Sequence, residues 1–194
     1  MAIRLLSDEL ARRFTAPQAL QNLHTRQLFV LRSDCNGFFQ PLTDAATWII
    51  CHSENLTCFG WSDTANPYDY HDPRRCVILN YLPDTLQLGH WNGYILSSAI
   101  FGVVNRSRKS LRAMRVGDVI WDGGESERIC LPHVTHLHIK STSHLTAILK
   151  TWNMPSLTHL DFPRFFIDRP LFRILESVNL TLISLRFWMP YSEQ

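Results

Sequence analysis

Two short segments of the chain place histidine and aspartate at matching positions, twenty-three residues apart. They are His133–Ile139 and Ser156–Phe162, and they contribute His136, His138, His159 and Asp161. If the segments are neighbouring strands, these four side chains share one face of a sheet, because alternate residues of a strand point the same way. Imidazole and carboxylate groups that converge in this way could fill a tetrahedral zinc site. The same groups could instead form part of a surface that binds another protein.

A third interpretation gives these residues no ligand. Asp161 would lie between His138 and Arg186 on adjoining strands, so that opposite charges compensate each other on a solvated face. The sequence contains no Gly-x-Ser-x-Gly, His-Glu-x-x-His, phosphate-binding loop or Gly-x-Gly-x-x-Gly motif that would indicate an enzyme. We therefore expect no catalytic residue and no cofactor. We predict a protein-binding module, with a metal-binding or hydrolytic site at the histidine and aspartate cluster as the alternative.

The two segments belong to a longer repeat. The pattern apolar-x-x-apolar-x-apolar recurs in units that begin at Leu56, Pro83, Leu111, Val134, Leu157 and Leu182. The steps between units lie within the range of roughly 20–29 residues that is typical of leucine-rich repeats. A further strand at 28–31 would precede them. The sequence thus predicts one domain over residues 1–194, an α/β leucine-rich-repeat solenoid of about six repeats with a parallel concave sheet and convex helices.

Each unit divides its side chains between a core and an open face. The fourth and sixth positions point into the solenoid, and in the Pro83 unit this assigns Leu86 and Leu88 to the core and Gln87 to the open face. The third, fifth and seventh positions lie on the concave face, where solenoids bind their partners. Cys58 is on this face without an aligned base. The residues predicted to contact a partner are Arg115, His136, His138, Lys140, His159, Asp161, Arg186 and Trp188.

Helix signals lie between the strands. Potential N-caps predict helices over 44–52 (Thr43), 74–82 (Asp72), 144–152 (Ser143) and 169–178 (Asp168). Residues 93–104 are apolar enough for a buried helix, with a strand as the alternative. Residues 118–131 lack a helical period and are predicted to form a turn-rich loop. Residues 1–27 are predicted to be an N-terminal helical segment.

Composition and cysteine usage limit the classes of function. The formal net charge of +2 is too small to indicate a nucleic-acid or membrane-surface partner. The five cysteines include no Cys-x-x-Cys pair, which excludes zinc-ribbon and redox motifs and favours free thiols in a reducing compartment. The sequence has no apolar run of about 18 residues and no signal-peptide pattern. A cytoplasmic location is therefore predicted.

Two phrases of the repeat resemble a known family. Residues 131–139 read Leu-Pro-His-Val-Thr-His-Leu-His-Ile, and residues 154–162 read Met-Pro-Ser-Leu-Thr-His-Leu-Asp-Phe. Both resemble the Leu-Pro-x-Leu-Thr-His-Leu-x-Leu units of leucine-rich-repeat proteins that are abundant in mushroom-type fungi, many of which carry an N-terminal F-box. The resemblance extends over residues 107–188. It implies that the repeats hold a substrate protein for an SCF-type ubiquitin ligase, while the F-box docks onto a Skp1-type adaptor.

The chain departs from that family in two respects. Only Leu6–Phe14 is similar to the opening of an F-box, so the adaptor is expected as a partner only if an F-box is present in a longer form. The asparagine that usually follows each strand is replaced by Thr64, Val119, Thr142 and Phe165, and irregular repeat geometry is expected. We further expect the chain to be a fragment of, or truncated relative to, a longer protein. An incomplete ladder that folds poorly alone is a further hypothesis.

Overall fold

The structure, a computed structural model, describes residues 2–5, 25–32, 39–63, 77–93, 95–117, 119–120, 122, 128–140, 151–163 and 183–188. The strands are β1 (Ala2–Leu5), β2 (Gln27–Arg32), β3 (Cys58–Asp63), β4 (Leu88–Asn92), β5 (Ile95–Leu96), β6 (Ala113–Val116), β7 (Val119–Ile120), β8 (Ile129–Cys130), β9 (His136–Ile139), β10 (Trp152–Asn153), β11 (His159–Pro163) and β12 (Ser184–Trp188). The helices are α1 (Phe39–Cys51), α2 (Ser97–Arg106) and one turn of 3-10 helix at Ile78–Tyr81.

One large parallel sheet organises these elements. Its eight strands lie in the order β1-β2-β3-β4-β6-β9-β11-β12, and every neighbouring pair is parallel. The order in space therefore follows the order in the chain. Two further parallel pairs, β5 with β7 and β8 with β10, connect segments outside the large sheet. The prediction of an α/β fold with a parallel sheet is confirmed.

The repeat pattern predicts most of the strands and their register correctly. Five strands begin at the third position of a predicted unit, at Cys58, Ala113, His136, His159 and Ser184. Pairing of His159 with His136, and of Ser184 with His159, keeps equivalent positions side by side. The additional strand predicted at 28–31 is also present, as β2. Period-two alternation fixes which residues share a face, and the parallel register carries that alternation across the sheet.

The unit predicted to begin at Pro83 is wrong in register. Leu88 pairs with Cys58 and with Ala113, so the unit begins at Leu86 and Leu88 lies on the open face, 38% exposed. Gly89 and Trp91 take the core-facing positions. The indole of Trp91 occupies the space beside Gly89, where an added Cβ would lie 2.1 Å from an indole carbon. Gly89 thus occupies a core position of the repeat, and the side chain of Trp91 fills the core volume that Gly89 leaves empty.

Three other predictions are wrong. Ala2–Leu5 is a strand paired with β2, not part of the helical segment predicted over residues 1–27, of which residues 6–24 lie outside the described part of the chain. This strand is the eighth of the large sheet, in addition to the six predicted units and the strand at 28–31. The turn-rich loop predicted at 118–131 contains β7 and β8, and Trp152, predicted to end a helix, belongs to β10 and pairs with Ile129. In each case pairing with a distant strand outweighs the local signal.

The helices agree with the predictions in part. α1 begins at Phe39, four residues before the predicted cap, and Pro41 lies in its first turn, where a backbone N–H is not needed. α2 confirms the buried helix within 93–104. Of the helix predicted over 74–82, the structure shows the 3-10 turn. Residues 144–150 of the helix predicted over 144–152, and the whole of the helix predicted over 169–178, lie outside the described residues. None of the described helices is long and apolar enough to cross a membrane.

The core lies on one face of the sheet, beneath the helices. The strands contribute alternate residues that are at most 3% exposed, as in the pairs Leu137 and Ile139 or Leu160 and Phe162. α1 and α2 pack against them with apolar residues at helical spacing; these residues are Ala45, Ala46, Ile49, Ile50, Ile100, Phe101, Val103 and Val104. The opposite face of the sheet carries the polar positions.

A proline turn leads into two of the strands. The N–H of Val134 donates to the carbonyl of Leu131 at 3.3 Å, and the N–H of Leu157 donates to the carbonyl of Met154 at 3.1 Å. In each turn the second residue is proline, whose fixed φ suits that position. The repeated Leu/Met-Pro-x-apolar phrase therefore has a structural cause, since it reverses the chain and delivers the next strand in register.

Asp122 stabilises the start of α2 from a distant part of the chain. Its carboxylate accepts hydrogen bonds from Ser97 Oγ at 2.7 Å, from the Ser98 backbone N–H at 3.3 Å and from the Ser98 hydroxyl. Burial alone would raise the pKa of Asp122, but the hydrogen bonds from Ser98 and Ser97 lower it overall. The carboxylate therefore satisfies N–H and hydroxyl donors at the helix N-terminus, where negative charge is favoured.

Candidate partner-binding face

Five polar side chains form one row across the open face of the sheet. Each is the fifth residue of its repeat unit, and the five strands are neighbours in the sheet. We call this set the polar row; its members are His90, Arg115, His138, Asp161 and Arg186. Neighbours in the row are about 4.8 Å apart along the sheet. Four of the five were predicted from the sequence. Segments that are almost one hundred residues apart in the chain thus place ionisable groups side by side.

Two histidines lie next to the row and stack on each other. His136 and His159, here called the imidazole pair, are paired in register on β9 and β11. Their ring centroids are 4.1 Å apart and the planes differ by 5°. The Nδ1 atom of each ring contacts the hydroxyl of the preceding threonine, at 2.9 Å for Thr135 and 2.8 Å for Thr158. Each repeat therefore positions its own imidazole.

The threonine hydroxyls determine which ring nitrogen carries the proton. Thr158 Oγ1 also lies 3.0 Å from the carbonyl of Thr135, and Thr135 Oγ1 lies 3.3 Å from that of Arg112. A hydroxyl has one hydrogen to donate, and a carbonyl can only accept. Both contacts are hydrogen bonds only when the hydroxyl donates to the carbonyl and accepts from Nδ1–H. The neutral rings of His136 and His159 then leave Nε2 as an acceptor.

His138 and Asp161 form the contact at the centre of the polar row. His138 Nδ1 lies 3.1 Å from Asp161 Oδ2, and the two side chains are 24% and 35% exposed. Compensation of charge along the row was predicted from both sides of Asp161. The structure shows a contact on the side of His138, which compensates charge only when the imidazole is protonated; within the described residues no ion pair joins the carboxylate to Arg186. Charge compensation is therefore partial.

Sequence reasoning missed His90, because the wrong register of the Pro83 unit placed Gln87 in this row. His90 pairs with Gly60 on one side and Arg115 on the other. Burial, and then the charges of Arg115 and His138, lower the pKa of His90 to about 4. Matching the spacing from Leu86 to Trp91 with that from Leu56 to Trp61 would have revealed the position.

Protonation of His136 is also disfavoured. Burial, followed by the positive charge that His159 can carry, lowers the pKa of His136 below its ordinary value. Two stacked rings cannot both become cations at this separation without mutual repulsion. At neutral pH His136 is therefore uncharged, and the permanent charges of the face are those of arginine, lysine and aspartate.

A groove of about 410 Å³ lies over the strands from β6 to β12. The polar side chains that line it are His136, His138, His159, Asp161, Ser184 and Arg186. Five of the eight predicted partner-binding residues are thus brought together in one depression. Ser184 was not predicted as a contact, although the repeat alignment places it in the same column as His136 and His159.

Two of the other three predicted residues, Arg115 and Lys140, lie beside the groove and outside its described lining. Arg115 is exposed on β6, next to His138 in the polar row. Lys140 follows β9 and is exposed, and its N–H donates to the carbonyl of Val116 at 2.8 Å. Trp188 is the last residue of β12 and pairs with Pro163. The predicted surface therefore has a groove at its centre, and basic side chains lie beside the groove.

The geometry does not favour the two other chemistries considered for this face. In the described part of the chain, no three His, Cys, Asp or Glu side chains are grouped so that they could hold a metal ion. The imidazoles of His136 and His159 are stacked in parallel, and Asp161 contacts His138. Burial raises the pKa of the Cys58 thiol to about 11, so the thiol remains protonated at neutral pH and is a poor nucleophile.

Comparisons of the chain with protein-family profiles, with curated proteins and with solved structures found no match.

Proposed function

We propose that this chain is a leucine-rich-repeat solenoid that binds a partner protein on the open face of its sheet. The solenoid is supported by the sheet order, which follows the chain, and by strand starts that recur at intervals of twenty-three to thirty-one residues. Repeated proline turns and repeated threonine bridges between strands agree with it. In such architectures each unit contacts its neighbours, and the sheet presents one extended surface.

The groove over β6 to β12 is the single observation that carries the binding function. Its polar lining side chains come from β9, β11 and β12 and are not part of the core, whereas Met114, Leu137 and Leu160, which also line it, belong to the core. Exposed arginine on both sides of the His138–Asp161 contact is well suited to anchor a partner, because its planar group forms several directed hydrogen bonds. Arg115 and Arg186 occupy these positions.

A capture experiment with matched charge reversals tests this function. Arg186→Glu changes the groove, whereas Arg108→Glu makes the same change of charge on an exposed turn before β6, outside the groove lining. Proteins recovered from the cells of origin with immobilised wild type and each variant would be identified by mass spectrometry. We expect at least one protein that binds wild type and Arg108→Glu and is lost with Arg186→Glu. Identical recovery with all three would contradict the proposal.

We extend the proposal to substrate recognition in an SCF-type ubiquitin ligase on the strength of the Leu-Pro-x-Leu-Thr-His-Leu phrases. The F-box-like segment Leu6–Phe14 lies outside the described residues. Recovery of a Skp1-type adaptor by a longer form of the chain tests this extension separately. A cytoplasmic location fits it, because Cys51, Cys58 and Cys130 are free thiols, as expected in a reducing compartment.

A further inference from the structure

The charges on the binding face have an unequal balance. Among the residues of the polar row and the imidazole pair, the permanent cations are Arg115 and Arg186, and Asp161 is the one anion. The carboxylate of Asp161 already faces His138. An incoming anion would therefore meet excess positive charge, while an incoming cation would meet mostly repulsion.

The strand register gives the residues that flank the four histidines on the adjoining strands. His90 lies between Gly60 and Arg115, and His138 lies between Arg115 and Asp161. The imidazole pair faces Ala113 on one side and Ser184 on the other. Asp161 is the only acidic side chain among these neighbours, so in the described part of the face His90, His136 and His159 have no carboxylate beside them on the adjoining strands. Negative charge delivered from outside would favour their protonated forms.

We propose that the groove binds an acidic segment of the partner protein, with carboxylates along the polar row, and that facing histidines take up protons when this segment binds. The inference depends on the proposed function and adds the chemical class of the partner. The lowered pKa values of His90 and His136 are consistent with it, because they describe imidazoles held neutral by their surroundings until an anion arrives.

The dimensions of the groove set the length of the segment. The strands from β6 to β12 are four neighbours in the sheet, which gives a span of about 14 Å at the usual spacing. An extended peptide covers that distance with about five residues. Alternate side chains of such a peptide point towards the sheet, so about three carboxylates can reach the row.

Fluorescence anisotropy with defined peptides tests the inference. The probe is a fluorescein-labelled peptide of alternating Glu and Ser, about ten residues long so that it exceeds the groove, and its twin carries Lys in place of Glu. Measurements at low salt avoid screening of exposed charges. We expect the Glu peptide to bind more tightly than the Lys peptide, and its Kd to fall about tenfold between roughly pH 7.5 and pH 5.5, where imidazoles titrate and glutamate stays ionised.

Three variants assign the effect to the groove. Arg186→Glu should raise the Kd of the Glu peptide about tenfold, whereas the matched Arg108→Glu should change it less than about twofold. The double variant His136→Gln/His159→Gln should reduce the tightening at acidic pH and keep the dependence on Arg186. Circular dichroism of each variant establishes that the fold is retained.

The results that overturn the inference differ from those that overturn the proposed function. Preference for the Lys peptide, binding of neither peptide, or equal loss with Arg186→Glu and Arg108→Glu would each refute an acidic segment in this groove. Binding of the Glu peptide without any pH dependence would refute proton uptake. None of these results would affect the capture of a partner that depends on Arg186, whereas partner recovery that is indifferent to Arg186→Glu would refute the binding function itself.

Discussion

The threonine that precedes each stacked histidine should control both strand pairing and the position of the imidazole proton. Replacing Thr158 by valine keeps the shape and the β-branch but removes the hydroxyl. The variant loses the hydrogen bond to the Thr135 carbonyl, at 3.0 Å, and the one with His159 Nδ1, at 2.8 Å. That carbonyl still accepts the backbone N–H groups of Thr158 and His159 at 3.0 and 2.9 Å, so no acceptor loses all its partners.

The expected cost follows from this geometry. Loss of hydrogen bonds without an orphaned buried group lowers the free energy of unfolding by about 1 kcal/mol, rather than the 2–3 kcal/mol expected of an unsatisfied buried group. For a chain of this size the melting temperature should fall by about 2–4 °C. Loss of the acceptor for Nδ1–H should also weaken the bias of His159 towards the Nδ1–H form by about fivefold, the equivalent of 1 kcal/mol.

Thr57→Val is the matched control. Thr57 Oγ1 bonds the carbonyl of Arg26 at 3.3 Å in the same structural position, and that carbonyl likewise keeps two N–H donors. The residue after it is Cys58 rather than histidine, so this variant should lose only the strand bridge. Chemical denaturation compares the stabilities, and long-range 1H–15N spectra of the histidine rings above neutral pH report the tautomers.

Two results would refute the reasoning. If His136 and His159 of the wild type carry the proton on Nε2, the threonine hydroxyls do not act as donors to the carbonyls. If Thr158→Val leaves the His159 spectrum unchanged while that of His136 also stays constant, the hydroxyl does not set the tautomer. His136 remains bonded to Thr135 and serves as an internal reference in every variant.

Three further predictions concern the core, a helix end and a thiol. Gly89→Ala should lower the free energy of unfolding by about 1–3 kcal/mol because the added Cβ would meet the indole beside it. Gly102→Ala in α2, where the nearest atom to an added Cβ is 3.8 Å away, should raise the free energy of unfolding by about 0.5–1 kcal/mol. Chemical denaturation of both variants measures the two changes. Asp122→Asn should cost about 1 kcal/mol at neutral pH. Because the folded-state pKa of Asp122 is lowered, this contribution is present above the unfolded-state pKa and is lost as the pH falls through the folded-state pKa, so wild type and variant should converge in acid. In single-cysteine variants near pH 8, an aromatic disulfide reagent should label exposed Cys51 well before buried Cys58, and equal rates would contradict the raised pKa of Cys58.

Most of the sheet could be predicted because its strands carry a strict alternation. Leu137 and Leu160 recur at one place in the repeat, and parallel pairing brings them together. The register of the Pro83 unit was predicted wrongly because the core requires a filled volume rather than an apolar residue at every position. The indole of Trp91 fills the space beside Gly89, and a pattern of apolar residues does not show such a substitution. As a direct result, the predicted open face did not include His90.

Other features depend on contacts that no local pattern contains. The strand Ala2–Leu5 exists because β2 offers it a partner, although the surrounding residues suggest a helix. Asp122 bonds Ser97, twenty-five residues away. The role of the Thr-His pairs in bridging strands and in setting the histidine tautomers depends on the distances to the carbonyls of neighbouring strands. Position in a row is predictable from periodicity, whereas protonation and partners require the assembled sheet.

Because the strands of the large sheet follow each other in the same order as in the chain, a further strand could be inserted between two neighbours. Each strand of the large sheet touches only the strands that flank it in this succession, so no pairing skips over a neighbour. Duplicating residues 136–158 in tandem would insert one more Thr-His-Leu-His strand between β9 and β11 and leave the older pairings intact. The stack of two imidazoles would become a stack of three. Gene duplication could in this way lengthen the surface by one strand at a time and create new specificities without redesigning the interior.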